Sequence, residues 1–227
     1  MPKLYVKAII FDLDGVITHT MPYHYQSWKA IFKKNGINVS REDIYSREGQ
    51  RGLLSVREIF AKYNVPYTDK HATRILKRKE NHFKKSVKNR FIPGSKSFIK
   101  YLHKKNFKLG LVTGTSSHEL HKILPRSLYN LFSVIITSND VKNGKPHPDP
   151  YLLALSKLQI KADQAIVIEN APFGIYSAKA AGIRCIALET SLAKEHLLMA
   201  DIIFKSIDSI RKRINFIYAA QQINYEI

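Results

Sequence analysis

One cysteine, Cys185, stands in the whole chain of 227 residues. No internal disulfide can therefore form, and a reducing compartment is expected. Its neighbours Ile183, Arg184, Ile186, Ala187 and Leu188 read as a strand, which makes it a small buried thiol and not a reactive one. No stretch is long or apolar enough to span a bilayer. The apolar opening runs straight into Asp12 without a small-residue cleavage site, which argues against a secretory leader. A cytoplasmic protein that avoids membranes is expected. Internal repeats and low-complexity tracts are lacking. Acids are scarce: 18 Asp and Glu against 37 Lys and Arg give a formal charge of +19. Such a balance attracts polyanions. Neither zinc-ligand spacing nor stacking aromatics accompany the basic residues, so a solvated basic surface is favoured over nucleic-acid binding.

What is present is organised around residues 5–15. Val6 to Phe11 is an apolar run, broken only by Lys7, and reads as a buried strand. Asp12, Asp14 and Gly15 follow it. A buried strand ending this way delivers two acids to the C-terminal edge of a sheet, where open α/β sheets bind ligands. Two carboxylates so close need a divalent cation, or a proton on one of them. A solvated acidic turn is the alternative reading of the pair.

The pattern then turns helical. Met21-Pro22 opens a segment with Tyr25, Trp28, Ile31 and Phe32 at helical spacing, and Trp28 reads as core. Ser40 caps a second helix start, with Asp43 in its first turn. Residues 51–63 and 69–89 continue in helical periods. No strand-like alternation occurs between 20 and 90. After the breaker Phe91-Ile92-Pro93-Gly94, strands at 108–113, 134–137, 165–168, 184–188 and 201–204 alternate with helices at 95–106, 117–124, 150–158 and 172–181. A last helix is expected near 206–216. Such alternation predicts an α/β, Rossmann-like, doubly wound parallel sheet. The expected domains nest: 1–16 and 92–227 form the core, and 17–91 is an inserted all-α unit. Thr18–Thr20 and Asn89–Pro93 are the hinge candidates.

Four strand ends carry polar groups: Asp12 and Asp14; Thr113-Gly114-Thr115; Gly144-Lys145-Pro146 with Pro148-Asp149-Pro150; and Glu169-Asn170 with Gly174. Each alone has a bland reading as a turn, cap or solvated charge. Together, in this order, they resemble the haloacid dehalogenase-like superfamily, on the branch of β-phosphoglucomutases and sugar-phosphate phosphatases. That resemblance implies roles. Asp12 would be the nucleophile forming an aspartyl-phosphate, and Asp14 the general acid and base. Thr113 and the Gly114 amide would hold phosphoryl oxygens, and Lys145 would neutralise the transferring group. Mg2+ would be bound by Asp12, the Asp14 main-chain carbonyl and the Glu169-Asn170 motif. The branch usually carries Glu-Asp at that motif. Asn170 therefore predicts a working but weaker metal site, or direct coordination by Glu169.

The resemblance also makes residues 17–91 a lid. His24, Arg51 and Lys79 match cap residues that face the substrate in β-phosphoglucomutase. An ordinary helix histidine and a charge in a solvated run are the other readings of His24 and Lys79. Residues 48–51, Glu-Gly-Gln-Arg, do not closely match the mutase specificity loop. The implied function is Mg2+-dependent hydrolysis of a small phosphorylated metabolite. A mutase is the alternative within the family. A basic nucleic-acid-binding module or a non-catalytic family member is the alternative outside that activity.

Overall fold

The computed structural model describes residues 1–88 and 90–219. The first apolar run folds as two strands, which corrects the single strand expected over Val6–Phe11. β1 (Lys3–Val6) ends where Lys7 bends the chain, and β2 (Ala8–Phe11) starts at the next residue in a different sheet. β2 sends Ala8 and Ile10 into one apolar cluster and Ile9 and Phe11 into another. Burial on both faces explains why this strand shows no polar alternation.

Four helices follow: α1 (Met21–Lys33), α2 (Arg41–Tyr45), α3 (Gly52–Lys62) and α4 (Asp69–Ser86). Pro22 falls in the first turn of α1, where its missing N–H costs nothing. Ser40 and Asp43 cap α2 reciprocally: the Ser40 hydroxyl accepts from the Asp43 amide, and the Asp43 carboxylate accepts from the Ser40 amide. The four helices close a third apolar cluster around Trp28, Phe32, Ile59, Phe60 and Ile75. α4 turns Ala72, Ile75, Lys79 and Phe83 inward, about one per turn. Lys79 therefore sits on the buried stripe and not in a solvated run.

The two chain segments that enter and leave this helical unit lie side by side. Thr18 bridges Phe91. The His19 amide donates to the Arg90 carbonyl at 2.9 Å, and the Ile92 amide to the Ile17 carbonyl at 2.9 Å. Of the second hinge candidate, Asn89 lies outside the described residues.

The rest alternates. α5 (Ser95–Lys104), β3 (Lys108–Val112), α6 (Ser117–Ile123), α7 (Arg126–Tyr129), β4 (Val134–Ile136) and α8 (Asp149–Leu158) come first. β5 (Ala165–Glu169), α9 (Pro172–Ala180), β6 (Arg184–Leu188), β7 (Ile202–Phe204), α10 (Ile207–Arg213) and β8 (Asn215–Tyr218) complete it. Six parallel strands form the main sheet in the order β4-β3-β2-β5-β6-β7. α5 and α10 cover one face with Phe98, Leu102, Ile207 and Ile210. α8 and α9 cover the other with Tyr151, Leu158, Ile175 and Ala178. This is the expected doubly wound sheet. The chain runs outward from β2 through β3 and β4, then returns to β5 on the opposite flank. A crevice opens at such a reversal, at the strands' C-terminal ends.

One further expectation fails at the C-terminal side. The last helix stops at Arg213, and Asn215–Tyr218 pairs in parallel with β1. β-branched and aromatic residues favour extended chain there, and Phe216 packs against Phe98 and Phe107. Among the described residues no helix is long and apolar enough to cross a membrane.

Candidate active site

β2 and β5 are neighbours in register, and the Asp12 amide still donates to the Ile168 carbonyl at 3.0 Å. Asp12 at the tip of β2 and Glu169 at the end of β5 therefore meet at the switch point. Between them lies the Lys145 ammonium, from the loop before α8. It donates to Asp12 Oδ1 at 2.6 Å, to Glu169 Oε1 at 2.6 Å and to the Val112 carbonyl at 3.2 Å. All three side chains are buried. A buried cation between two anions keeps its proton, and the two carboxylates push the Lys145 ammonium upward against the opposing effect of burial.

Glu169 is fully engaged. Its Oε1 also accepts from the Tyr151 hydroxyl at 3.0 Å, and its Oε2 accepts from the amides of Asn170 and Ala171 at 2.9 and 3.3 Å. That leaves it anchoring Lys145, with no oxygen open. Asp12 differs. Its Oδ2 is buried without a hydrogen-bond partner. Burial pushes the Asp12 carboxyl up to about 8, the Glu169 and Asp14 charges add to this, and Lys145 opposes it.

Asp14 sits in the opposite environment. Its Oδ1 accepts from the Thr20 hydroxyl and lies 3.3 Å from His24 Nε2, and its Oδ2 accepts from the Thr115 hydroxyl at 3.0 Å. Burial works to raise the carboxyl, but His24 and the two hydroxyls outweigh it and hold Asp14 at about 2. His24 is backed by the Lys79 ammonium, and burial together with that charge lowers the imidazole's pKa. The Thr113 hydroxyl, just past the end of β3, accepts from the Thr115 amide at 3.0 Å. Its own O–H stays available as a donor.

The loop between α2 and α3 closes over this floor. Gln50 bridges Lys145, and the Arg51 guanidinium donates to the Lys142 carbonyl. Contact is close enough to need glycine on both sides. A Cβ on Gly49 would lie 2.6 Å from Lys145 Cδ, and one on Gly114 would lie 2.9 Å from the Gly49 carbonyl oxygen. A cleft of about 830 Å3 remains between the helical unit and the sheet, within the usual range for small ligands. Asp14, His24, Arg51, Lys79, Gly114 and Lys145 line it. Asp12, Thr113, Glu169 and Asn170 lie beneath it and are at most 4% exposed.

Whether these residues suit Mg2+ is decided by the donor atoms. Among the described residues no three His, Cys, Asp or Glu side chains form a ready metal cluster. The oxygens on offer are Asp12 Oδ2 and Asn170 Oδ1, both buried and unpartnered, plus the Asp14 carbonyl. Hard oxygen donors with an excess of negative charge around them fit a small divalent cation. The Asn170 amide nitrogen donates to Ser191 Oγ at 2.8 Å, which leaves its carbonyl oxygen as the free end.

One residue of the site escaped the sequence reading. Glu48 is buried beside Asn170, whose amide lies 3.4 Å from Glu48 Oε2. It stands in a polar stretch with no periodicity, so nothing in the pattern marked it.

With this geometry in view, the comparisons with known proteins are specific. The haloacid dehalogenase-like hydrolase profile matches residues 9–188. A phosphorylated carbohydrates phosphatase of Thermotoga maritima is 30% identical over 189 residues, covering 80% of this chain and 84% of that protein. The β-phosphoglucomutase of Bacillus subtilis is 30% identical over 213 residues, covering 90% and 92%. Among solved structures, a β-phosphoglucomutase from Clostridium difficile superposes with a TM-score of 0.78 at 26% identity, covering 91% and 96%. Phosphatases and mutases of this kind generally use Mg2+. A doubly wound sheet with two acids, a threonine, a lysine and a Glu-Asn pair gathered at its switch point thus has one home: the chain belongs to the haloacid dehalogenase-like hydrolase family, among the sugar-phosphate phosphatases and β-phosphoglucomutases.

Proposed function

We propose that the protein is a Mg2+-dependent phosphatase of a small phosphorylated sugar or similar monoester, acting through an aspartyl-phosphate on Asp12. The observation that carries this is the Lys145 ammonium, 2.6 Å from both Asp12 and Glu169. It fixes one oxygen of Asp12 and leaves Oδ2 free. In this reading an Asp12 carboxylate oxygen attacks phosphorus, and the P–O bond to the sugar breaks. Asp14, held ionised by His24, Thr20 and Thr115 in this arrangement, acts as the proton carrier once substrate takes the place of those contacts: it protonates the departing oxygen, then takes a proton from the water that hydrolyses the acyl phosphate. The Thr113 hydroxyl and the Gly114 amide hold phosphoryl oxygens, and Lys145 offsets their charge. Asp12, Asn170 and the Asp14 carbonyl would hold Mg2+, whose charge would favour the ionised form of Asp12 and the binding of phosphate.

Residues 17–91 act as a lid in this scheme. Asp12 lies beneath the cleft floor while Gly49 rests on Gly114, so substrate enters when the unit swings about the paired segments near Thr18 and Phe91. His24, Arg51 and Lys79 then face the sugar. Hydrolysis is favoured over the mutase reaction because the cleft arginines are already engaged: Arg47 with Glu58, Arg57 with Asp69, and Arg51 with the Lys142 carbonyl. A mutase must keep a cationic seat for a second phosphate. The single buried thiol accords with a cytoplasmic setting.

The test is a panel of sugar phosphates with purified protein and Mg2+, read by phosphate release. β-Glucose 1-phosphate with a trace of the bisphosphate separates the two chemistries. Free phosphate supports the phosphatase, and net glucose 6-phosphate would replace it with the mutase.

A further inference from the structure

Among the described residues, three buried side-chain oxygen or nitrogen atoms lack a hydrogen-bond partner: Asp12 Oδ2, Asn170 Oδ1 and Glu48 Oε1. Leaving such an atom buried and unpaired is costly. All three belong to this one site, yet they arrive from three separate parts of the chain. Asp12 ends β2, Asn170 follows β5, and Glu48 comes from the loop of the helical unit. Glu48 is 8% exposed and Asn170 is fully buried, and the two are joined by the amide-to-carboxylate contact at 3.4 Å. Their free oxygens therefore sit on adjacent side chains.

A proton does not resolve this arrangement. A single proton, on Asp12 or on Glu48, pairs at most two of these three oxygens and leaves the third without a partner. A divalent cation takes carboxylate and amide oxygens of this kind together as ligands. Charge points the same way. Asp12, Asp14, Glu48 and Glu169 are buried here around the single ammonium of Lys145, with Lys79 further out behind His24. Asn170 contributes an oxygen but no charge.

We propose, resting on the Mg2+-dependent reading above, that Glu48 is a metal-site carboxylate delivered by the lid, supplying the negative charge that Asn170 does not. The core alone offers Asp12, the Asn170 amide oxygen and a main-chain carbonyl. The closed lid adds the second carboxylate. Cation binding and lid closure then favour each other, since coupling between two events is reciprocal.

Mn2+ is the probe, titrated into the purified full chain without substrate and counted by the loss of its free electron-spin resonance signal. The wild type is expected to bind Mn2+, and Asp12→Asn to lose it. Glu48→Gln is expected to weaken binding by about tenfold or more. Adding Asn170→Asp to Glu48→Gln is expected to restore affinity to within about threefold of wild type, because the charge returns from the core side. Thermal unfolding followed by circular dichroism confirms that each variant is folded. A Glu48→Gln protein that binds Mn2+ as tightly as wild type would overturn the proposal. So would a loss that Asn170→Asp fails to repair, which would make Glu48 a packing contact. A wild type that binds no Mn2+ would instead remove the Mg2+-dependent reading itself, and this inference with it.

Discussion

Lys79 Nζ lies 2.8 Å from Nδ1 of His24. An ammonium only donates, so Nδ1 accepts, and in the neutral imidazole the hydrogen must be on Nε2, pointing at Asp14. A lysine on α4 thereby selects the tautomer of a histidine on α1, and that histidine is aimed at the second aspartate. The Lys79 ammonium also lies over the rings of Trp28 and Phe83, 5.1 and 5.0 Å from their centroids, so its position is set by packing as well as by charge.

Replacing Lys79 with Met keeps the bulk and removes the donor. Nitrogen-15 NMR of His24 is expected to show the Nε2–H form in the wild type and a mixture of tautomers in Lys79→Met. Turnover is expected to fall about tenfold, less than the roughly 10²–10⁴-fold of a group that itself transfers the proton, because Lys79 acts through His24. An unchanged tautomer in the variant would show that Lys79 does not set it.

Asp12→Asn retains shape and removes the oxygen proposed to attack phosphorus. Phosphate release is expected to drop by at least ~10³-fold with the fold intact. Mass spectrometry of wild type quenched during turnover is expected to show a phosphorylated peptide that contains Asp12, and the variant none.

Gly174 tests how tightly Glu169 is held. A Cβ there would fall 1.7 Å from Glu169 Oε1 and 2.5 Å from Oε2. That carboxylate cannot yield without releasing Lys145, Tyr151 or two amides. Gly174→Ala is expected to cost about 1–3 kcal/mol of stability, as overpacking does. It is also expected to lower turnover at least tenfold, because Lys145 loses its anchor. Thermal melts and steady-state rates check the two arms.

Asp43 gives a pH dependence of stability. Burial acts to raise its carboxyl, but Lys62, the Ser40 amide and the Tyr63 hydroxyl hold it at about 2, below the ordinary 3.8. A carboxyl depressed on folding stabilises the protein above its unfolded value and loses that contribution as pH falls through the folded one. Asp43→Asn is therefore expected to cost about 1–2 kcal/mol at neutral pH. The gap from wild type should close as the pH drops from about 4 toward 2. Urea unfolding across that range measures it.

Much of this molecule is written in the chain's own pattern. β3, β5 and β6 lie within a residue of their expected ends, because each is a short apolar run bounded by turn residues. The Ser40 cap and the Trp28 core position follow from local chemistry, as does the buried Cys185 in β6. Lys79 is harder: Ala72, Ile75 and Phe83 mark the stripe on which it falls, but the surrounding lysines and arginines favour reading it as a solvated charge. The strand break at Lys7 depends on a partner, β8, that lies more than two hundred residues away, and no local signal anticipates such pairing. Glu48 is the hardest case. Its meaning comes only from Asn170, across the whole fold, and a glutamate between an arginine and a glycine looks like any surface acid.

The hydrogen bond from the Ile92 amide to the Ile17 carbonyl means that the chain leaves the sheet and comes back at nearly the same spot. The sheet is therefore indifferent to how long the excursion between them is. A bridging turn could replace the helical unit and leave every strand in register, and a different insert could be grafted at the same two residues. The helical unit can thus diverge while the residues gathered at the sheet's switch point stay fixed.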